Sequence, residues 1–208
     1  AVTALDWQVT RNLVARSPKE REEILANPGF GVHFTDHMVD VCWSVKGGAG
    51  TTVVTAGMAL AAASSSMSGS VLVVDLAGDL PNCFGVADPS GPGVAEWLAA
   101  GPEVPPDALH RMRVPLAPRL DLLPRGEGPL LARRSSTLVQ MLAVSGHTVL
   151  VDCGRLDHSQ VALGSADARV AAEADRSLLV TRLCYLGLKR AGRAPLRPSG
   201  LIVVEEAG

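Results

Sequence analysis

The chain has 208 residues, 47% of them hydrophobic and 19% charged, which is enough apolar material to bury the core of one main domain. Its formal net charge of −2 provides no global field to attract nucleic acid, although a local arginine patch could still do so. There is no charged-then-apolar leader and no uninterrupted run of about 18 apolar residues to serve as a transmembrane segment, so a soluble, cytoplasmic protein is expected.

Residues 1–37 read as an appended arm containing one short helix. Ser17, Pro18 and Glu20 start that helix, with Ser17 as cap and Glu20 closing a capping box. Asn27-Pro28-Gly29 stops it. The run from Ser17 to Val39, S-P-K-E-R-E-E-I-L-A-N-P-G-F-G-V-H-F-T-D-H-M-V, resembles the start of branched-chain aminotransferases. None of the lysine or phosphate-binding motifs of those enzymes follows it, so the resemblance implies a composite chain with a junction near residue 40 and not pyridoxal chemistry.

Residues 38–208 read as the main domain. A strand is predicted at Met38 to Val45 and a helix at Thr51 to Ser65, joined by Lys46-Gly47-Gly48-Ala49-Gly50-Thr51-Thr52. A glycine-rich turn of this kind points several backbone N–H groups at one anion, and the following helix adds the positive end of its dipole. The usual phosphate loop is G-x-x-x-x-G-K-[ST], with a lysine after the last glycine. Here Thr51 stands in the lysine's place and Val45 in that of the first glycine, while Thr52 keeps the hydroxyl that would hold Mg²⁺. A strand, glycine turn and helix also occur in α/β domains that bind no phosphate. Against that alternative, Lys46 is one of three lysines beside sixteen arginines.

K-G-G-x-G-x-T-T after a first strand resembles the deviant phosphate loop of the ParA/MinD family of ATPases. The small residue in place of the loop lysine is similar to the CpaE/TadZ branch. The resemblance implies ATP and Mg²⁺ as cofactors, with Gly47, Gly48, Ala49, Gly50, Thr51 and Thr52 around the phosphates. It also implies a homodimer in which Lys46 reaches the partner's phosphates. Its implied partner is a protein of a polar, pilus/secretion or division system.

The next strand, Val71 to Asp75, ends in a carboxylate, and in an open α/β sheet such ends face the ligand crevice. Asp75 could equally cap the turn that follows. In the family the matching aspartate orients attacking water, which would make Asp75 catalytic together with Lys46. The family often has D-x-D here, whereas Ala77 replaces the second acid and Asp79 follows. Helices are predicted at Val94 to Ala100 and Pro106 to Met112, a strand at Leu120 to Leu123 and a helix at Leu130 to Val144. Asp88 to Gly93, Gly101 to Pro106 and Gly126 to Pro129 read as surface connectors.

Thr148 to Asp152 has the form of a Walker B strand, and the Asp152 carboxylate could hold Mg²⁺ through water. Cys153-Gly154-Arg155 departs from the family's D-x-P-P. A helix is predicted at Ser159 to Ala174. The strand at Ser177 to Thr181 lies in A-D-R-S-L-L-V-T, which resembles the family's A-D-x-x-x-x-V-T, with Asp175 in a structural role. A helix at Gly187 to Arg193 and a strand at Leu201 to Val204 complete the order. The family's adenine-contacting asparagine is absent from Gly200 to Glu206, and the resemblance implies a domain truncated at its carboxyl end, either a fragment or an abbreviated form. Cys42, Cys83, Cys153 and Cys184 show no C-x-x-C or zinc-like spacing and read as buried free thiols. His33, His37, His110, His147 and His158 make no metal constellation.

Apolar strands without alternation, interleaved with helices, predict an α/β fold with a doubly wound, mostly parallel sheet of the P-loop NTPase type. The function this implies is an ATP-binding, nucleotide-dimerised positioning protein with slow or absent hydrolysis. The alternative is a non-enzymatic scaffold that no longer binds nucleotide.

Overall fold

A computed structural model describes residues 2–6, 38–65, 69–101, 103–105 and 107–205. Its centre is an eight-stranded sheet in the order β1-β8-β7-β2-β6-β3-β5-β4. The strands are β1 (Val2–Asp6), β2 (Val39–Ser44), β3 (Val71–Asp75), β4 (Val114–Ala117), β5 (Leu120–Leu123), β6 (Thr148–Arg155), β7 (Arg176–Arg182) and β8 (Gly200–Val204). From β8 through to β5 every neighbouring pair is parallel, and β1 and β4 close the two edges antiparallel. From the central β2 the chain winds outward to β3 and β5, returns to β6 beside β2, and then crosses to β7 and β8 on the other side. The carboxyl end of β2 is therefore a topological switch point, where α/β sheets open a crevice.

The apolar runs are continuous because both faces of these strands are covered. Along β3, Leu72 and Val74 join one core with Val41, Trp43, Val151 and Leu179. Val71 and Val73 join another with Cys42, Leu150, Val180 and Ile202. Helix α1 (Thr51–Ser64) covers the second face with Val54, Met58, Ala59 and Ala62. Helices α2 (Leu80–Phe84), α3 (Val94–Ala99), α4 (Ala108–Arg111), α5 (Ser135–Ala143), α6 (His158–Leu163), α7 (Ala166–Glu173) and α8 (Tyr185–Ala191) follow in chain order. Leu98, Leu138 and Val170, from α3, α5 and α7, pack into the first face. Buried Trp43 donates its Nε1–H to Ser177 Oγ at 2.9 Å, and Asp175 accepts the Val39 N–H at 2.9 Å, a structural role as expected.

The predicted α/β, mostly parallel sheet is the observed one, with these differences. Edge strand β1 lies within the stretch read as an appended arm, and the short helix expected from Ser17 falls outside the described residues. Strand β4 was not expected because it contains Pro115, a residue confined to edges by its missing N–H. Its hairpin to β5 turns through Arg119, whose φ is 66°. The helix predicted over Ser159–Ala174 is two helices, because Gly164 takes φ 62° and ends α6. Helix α2 was missed since Pro81 lies in its only turn. Of the cysteines, Cys42 and Cys153 are buried as expected, but Cys83 and Cys184 are exposed.

Candidate phosphate-binding site

The segment Lys46–Gly50 carries the chain from the end of β2 into α1. Gly48 and Gly50 hold φ of 73° and 90°, a left-handed conformation that L side chains resist. The first intrahelical bond is from the Val54 N–H to the Gly50 carbonyl at 2.9 Å. The N–H groups of Thr51, Thr52 and Val53 thus precede the helical ladder and stay available to an anion. No acidic residue occupies the first turn of α1 to compete for that position.

Above this turn lies a cavity of about 560 Å³. Gly47 through Val53 form one wall; Ala77 and Asp79 after β3, Arg125 after β5, and Gly154 and Arg155 at the end of β6 form the others. All of these except α1 itself come from carboxyl ends of strands, as the sheet topology dictates. The candidate phosphate residues Gly47, Gly48, Ala49, Gly50, Thr51 and Thr52 are therefore together on one wall.

Asp152 is fully buried and immediately precedes Cys153 and Gly154, which line this cavity. Its Oδ1 accepts the Gly154 N–H at 2.9 Å. Oδ2 is buried with no well-aligned hydrogen-bond partner, while the Thr52 hydroxyl lies near enough to lower the cost of the charge. Burial dominates and pushes the Asp152 carboxyl up to about 6, with Asp75 and Asp79 adding repulsion. An orphaned carboxylate oxygen beside a threonine hydroxyl is a pair of hard donors that suits a divalent cation. Among the described residues no group of three or more His, Cys, Asp or Glu side chains is placed to hold a metal ion. A cation here would therefore take its remaining ligands from phosphate oxygens and water, as Mg²⁺ commonly does.

Two predicted catalytic residues are not among those that line the cavity. Asp75 is fully buried and spends both oxygens on the following turn, accepting the Gly78 N–H at 2.6 Å and the Leu80 N–H at 3.1 Å. It does not line the cavity; its place is that of a turn cap, held because the β3–α2 connection would otherwise bury those N–H groups unpaired. Lys46, half-buried, lines a separate narrow cleft with Val180, Thr181, Arg182 and Gly187. It is thus outside the cavity walled by its own loop.

Asp79, Arg125 and Arg155 line the cavity and were not predicted to. The general rule that strand carboxyl ends face the ligand would have pointed to Arg125 and Arg155. Asp79 enters because the turn capped by Asp75 carries it back toward the loop. Cys153 also touches the cavity, and burial raises its thiol well above the usual value, so it stays protonated.

No family model matches the chain. It shares 68% identity over 28 residues with a probable branched-chain-amino-acid aminotransferase of Streptomyces coelicolor, covering 14% of this chain and 8% of that protein. It shares 46% over 44 residues with a branched-chain-amino-acid aminotransferase of Mycolicibacterium smegmatis, covering 21% and 12%. The chain thus spans only a small part of these curated relatives, in keeping with the short resemblance read at Ser17–Val39. Among solved structures it is similar to a ParA family ATPase from Chlorobium tepidum TLS, with a TM-score of 0.61, 23% identity, and coverage of 81% of this chain and 74% of that one. A cobyrinic acid a,c-diamide synthase from Mycobacterium smegmatis, solved with an ATP analog and magnesium, gives 0.48 at 23% identity over 69% and 60%. The chain shares its mostly parallel α/β fold with that ParA family ATPase.

Proposed function

We propose that the chain binds ATP with Mg²⁺ at the Gly47–Thr52 turn and dimerises around the nucleotide, in the manner of ParA/MinD proteins of the CpaE/TadZ type, to position a polar, pilus/secretion or division system. The observation that carries this reading is an anion-receptive helix start lining the cavity with Thr52, whose hydroxyl lies near the buried Asp152 carboxylate, one oxygen of which lacks a well-aligned partner. The ParA-like fold supports it.

In this reading the backbone N–H groups opening α1 bind the phosphates and orient them along the helix axis. Thr52, by its hydroxyl, and Asp152, through water, would be the residues to hold Mg²⁺. Bound there, the ion would neutralise charge on the phosphate oxygens. Lys46, which does not line its own cavity, serves a partner subunit. Phosphoryl transfer depends on positioning and charge neutralisation. With Thr51 replacing the loop lysine and Asp75 committed to its turn, hydrolysis is slow or absent.

The loss of that lysine also favours a scaffold that no longer binds nucleotide. Sedimentation of the full chain with and without Mg²⁺-ATP separates the two readings. Nucleotide-driven dimerisation that disappears in Lys46→Ala is the expected result, and a nucleotide-indifferent species in both proteins contradicts the reading.

A further inference from the structure

A triphosphate is strongly anionic, and the cavity's own charge works against it. Asp79 and Asp167 line its walls, buried Asp152 lies one residue before its Cys153–Arg155 lining, and Thr51 adds no cation where the common loop has one. Lys46 lines a separate cleft. The cationic side chains lining the cavity, among the described residues, are Arg125 and Arg155.

These two arginines differ in how they are held. Arg155 has 58% of its side chain exposed and reaches the Asp157 carboxylate at 3.2 Å, so its charge is already matched at the surface. Arg125 is half-buried. Its Nη1 donates to the Gly126 and Gly128 carbonyls at 3.1 and 3.2 Å. Its stem crosses Gly78, where a Cβ would lie 3.2 Å from Arg125 Cδ. No ion pair or further hydrogen bond occupies Nε or Nη2 among the described residues.

The loop that holds Arg125 is itself fixed. Glu96, on α3, accepts the N–H groups of Gly128 and Glu127 at 3.0 Å with one oxygen and that of Gly93 at 2.7 Å with the other. A guanidinium anchored through carbonyls on one side keeps donors for a phosphate on the other, in the planar arrangement that suits a phosphate edge.

We infer that Arg125, from the loop after β5, supplies to the nucleotide's terminal phosphates the positive charge that Thr51 cannot. Arg125 is then a phosphate-binding residue entering from the wall facing the loop, and its side chain substitutes for one that ordinarily extends from α1. The inference rests on the nucleotide-binding reading proposed above.

The test is a cycle of Mg²⁺-ATP dissociation constants measured by calorimetry on the full chain, for the parent, Arg125→Ala, Thr51→Lys and the double variant. Losing a charge-assisted phosphate contact should weaken ATP binding by about tenfold or more while leaving adenosine binding unchanged. Thr51→Lys should restore most of that loss in the Arg125→Ala background and add much less to the parent. Arg125→Gln, which keeps the stem over Gly78 without its charge, replaces the alanine variant if that one fails to fold. ATP affinity equal to the parent's in a folded Arg125 variant, or a loss found with Arg155→Ala in its place, overturns the inference while the nucleotide site stands. A folded parent that binds no ATP overturns both.

Discussion

Asp75 and Asp152 are register partners, side by side at the carboxyl ends of adjacent parallel strands β3 and β6. Both are fully buried, and burial raises the pKa of both carboxyls. Their partners set them apart. Asp75 accepts a backbone N–H of the turn after it with each oxygen, whereas Asp152 leaves Oδ2 without a well-aligned partner. One carboxylate caps a turn, and the other keeps an oxygen uncommitted.

The raised pKa of Asp152 has a consequence for stability. Its folded value of about 6 lies above that of an ordinary aspartate, so the folded state binds more protons and stability falls as pH rises from about 4 to about 6. The loss across that window is about 3 kcal/mol. Asp75 shifts in the same direction. Thermal unfolding of the Mg²⁺-free parent and of Asp152→Asn across this window should show the parent losing stability and the variant losing distinctly less. Parallel curves would mean that Asp152 does not carry the proton.

Asp75→Ala should act on the fold first. Removing the carboxylate orphans the Gly78 and Leu80 N–H groups, at about 1–3 kcal/mol each. Denaturant unfolding should report a loss of at least about 2 kcal/mol. The ATP dissociation constant of the folded fraction should stay within a few-fold of the parent's. A variant of parental stability that has lost only turnover would return Asp75 to the catalytic role its sequence position suggested.

Much of this could be read in the chain itself. Uninterrupted apolar runs such as Val71–Asp75 and Leu120–Leu123 were legible because burial on both faces removes the polar alternation. The phosphate turn was legible because its conformation demands glycine at Gly48 and Gly50. The division of labour between Asp75 and Asp152 was not, since both appear as an aspartate closing an apolar strand and only the next turn decides which oxygen is left free. Arg125 and Asp79 were hidden for a related reason. They reach the cavity through sheet order and loop path, which no local spacing records.

At the opposite end of β2, buried Asp40 pairs with Arg176, its Oδ1 accepting from Nε at 2.6 Å and its Oδ2 from Nη2. This pair ties β2 to β7 far from the cavity. Arg176→Ala leaves the Asp40 charge buried and should cost about 3–5 kcal/mol, with ATP affinity unchanged where the variant remains folded. A cost near zero in chemical denaturation would contradict a structural role for the pair.

The central claim is that Thr52 and Asp152 make the turn a Mg²⁺-dependent nucleotide site despite Thr51. Calorimetric titration of the full chain with ATP, with and without Mg²⁺, and of Thr52→Ala in parallel, tests it most directly. Micromolar, Mg²⁺-dependent binding that is lost in Thr52→Ala is the expected result. No binding by the folded parent at millimolar ATP, or binding indifferent to both Mg²⁺ and Thr52, would contradict it.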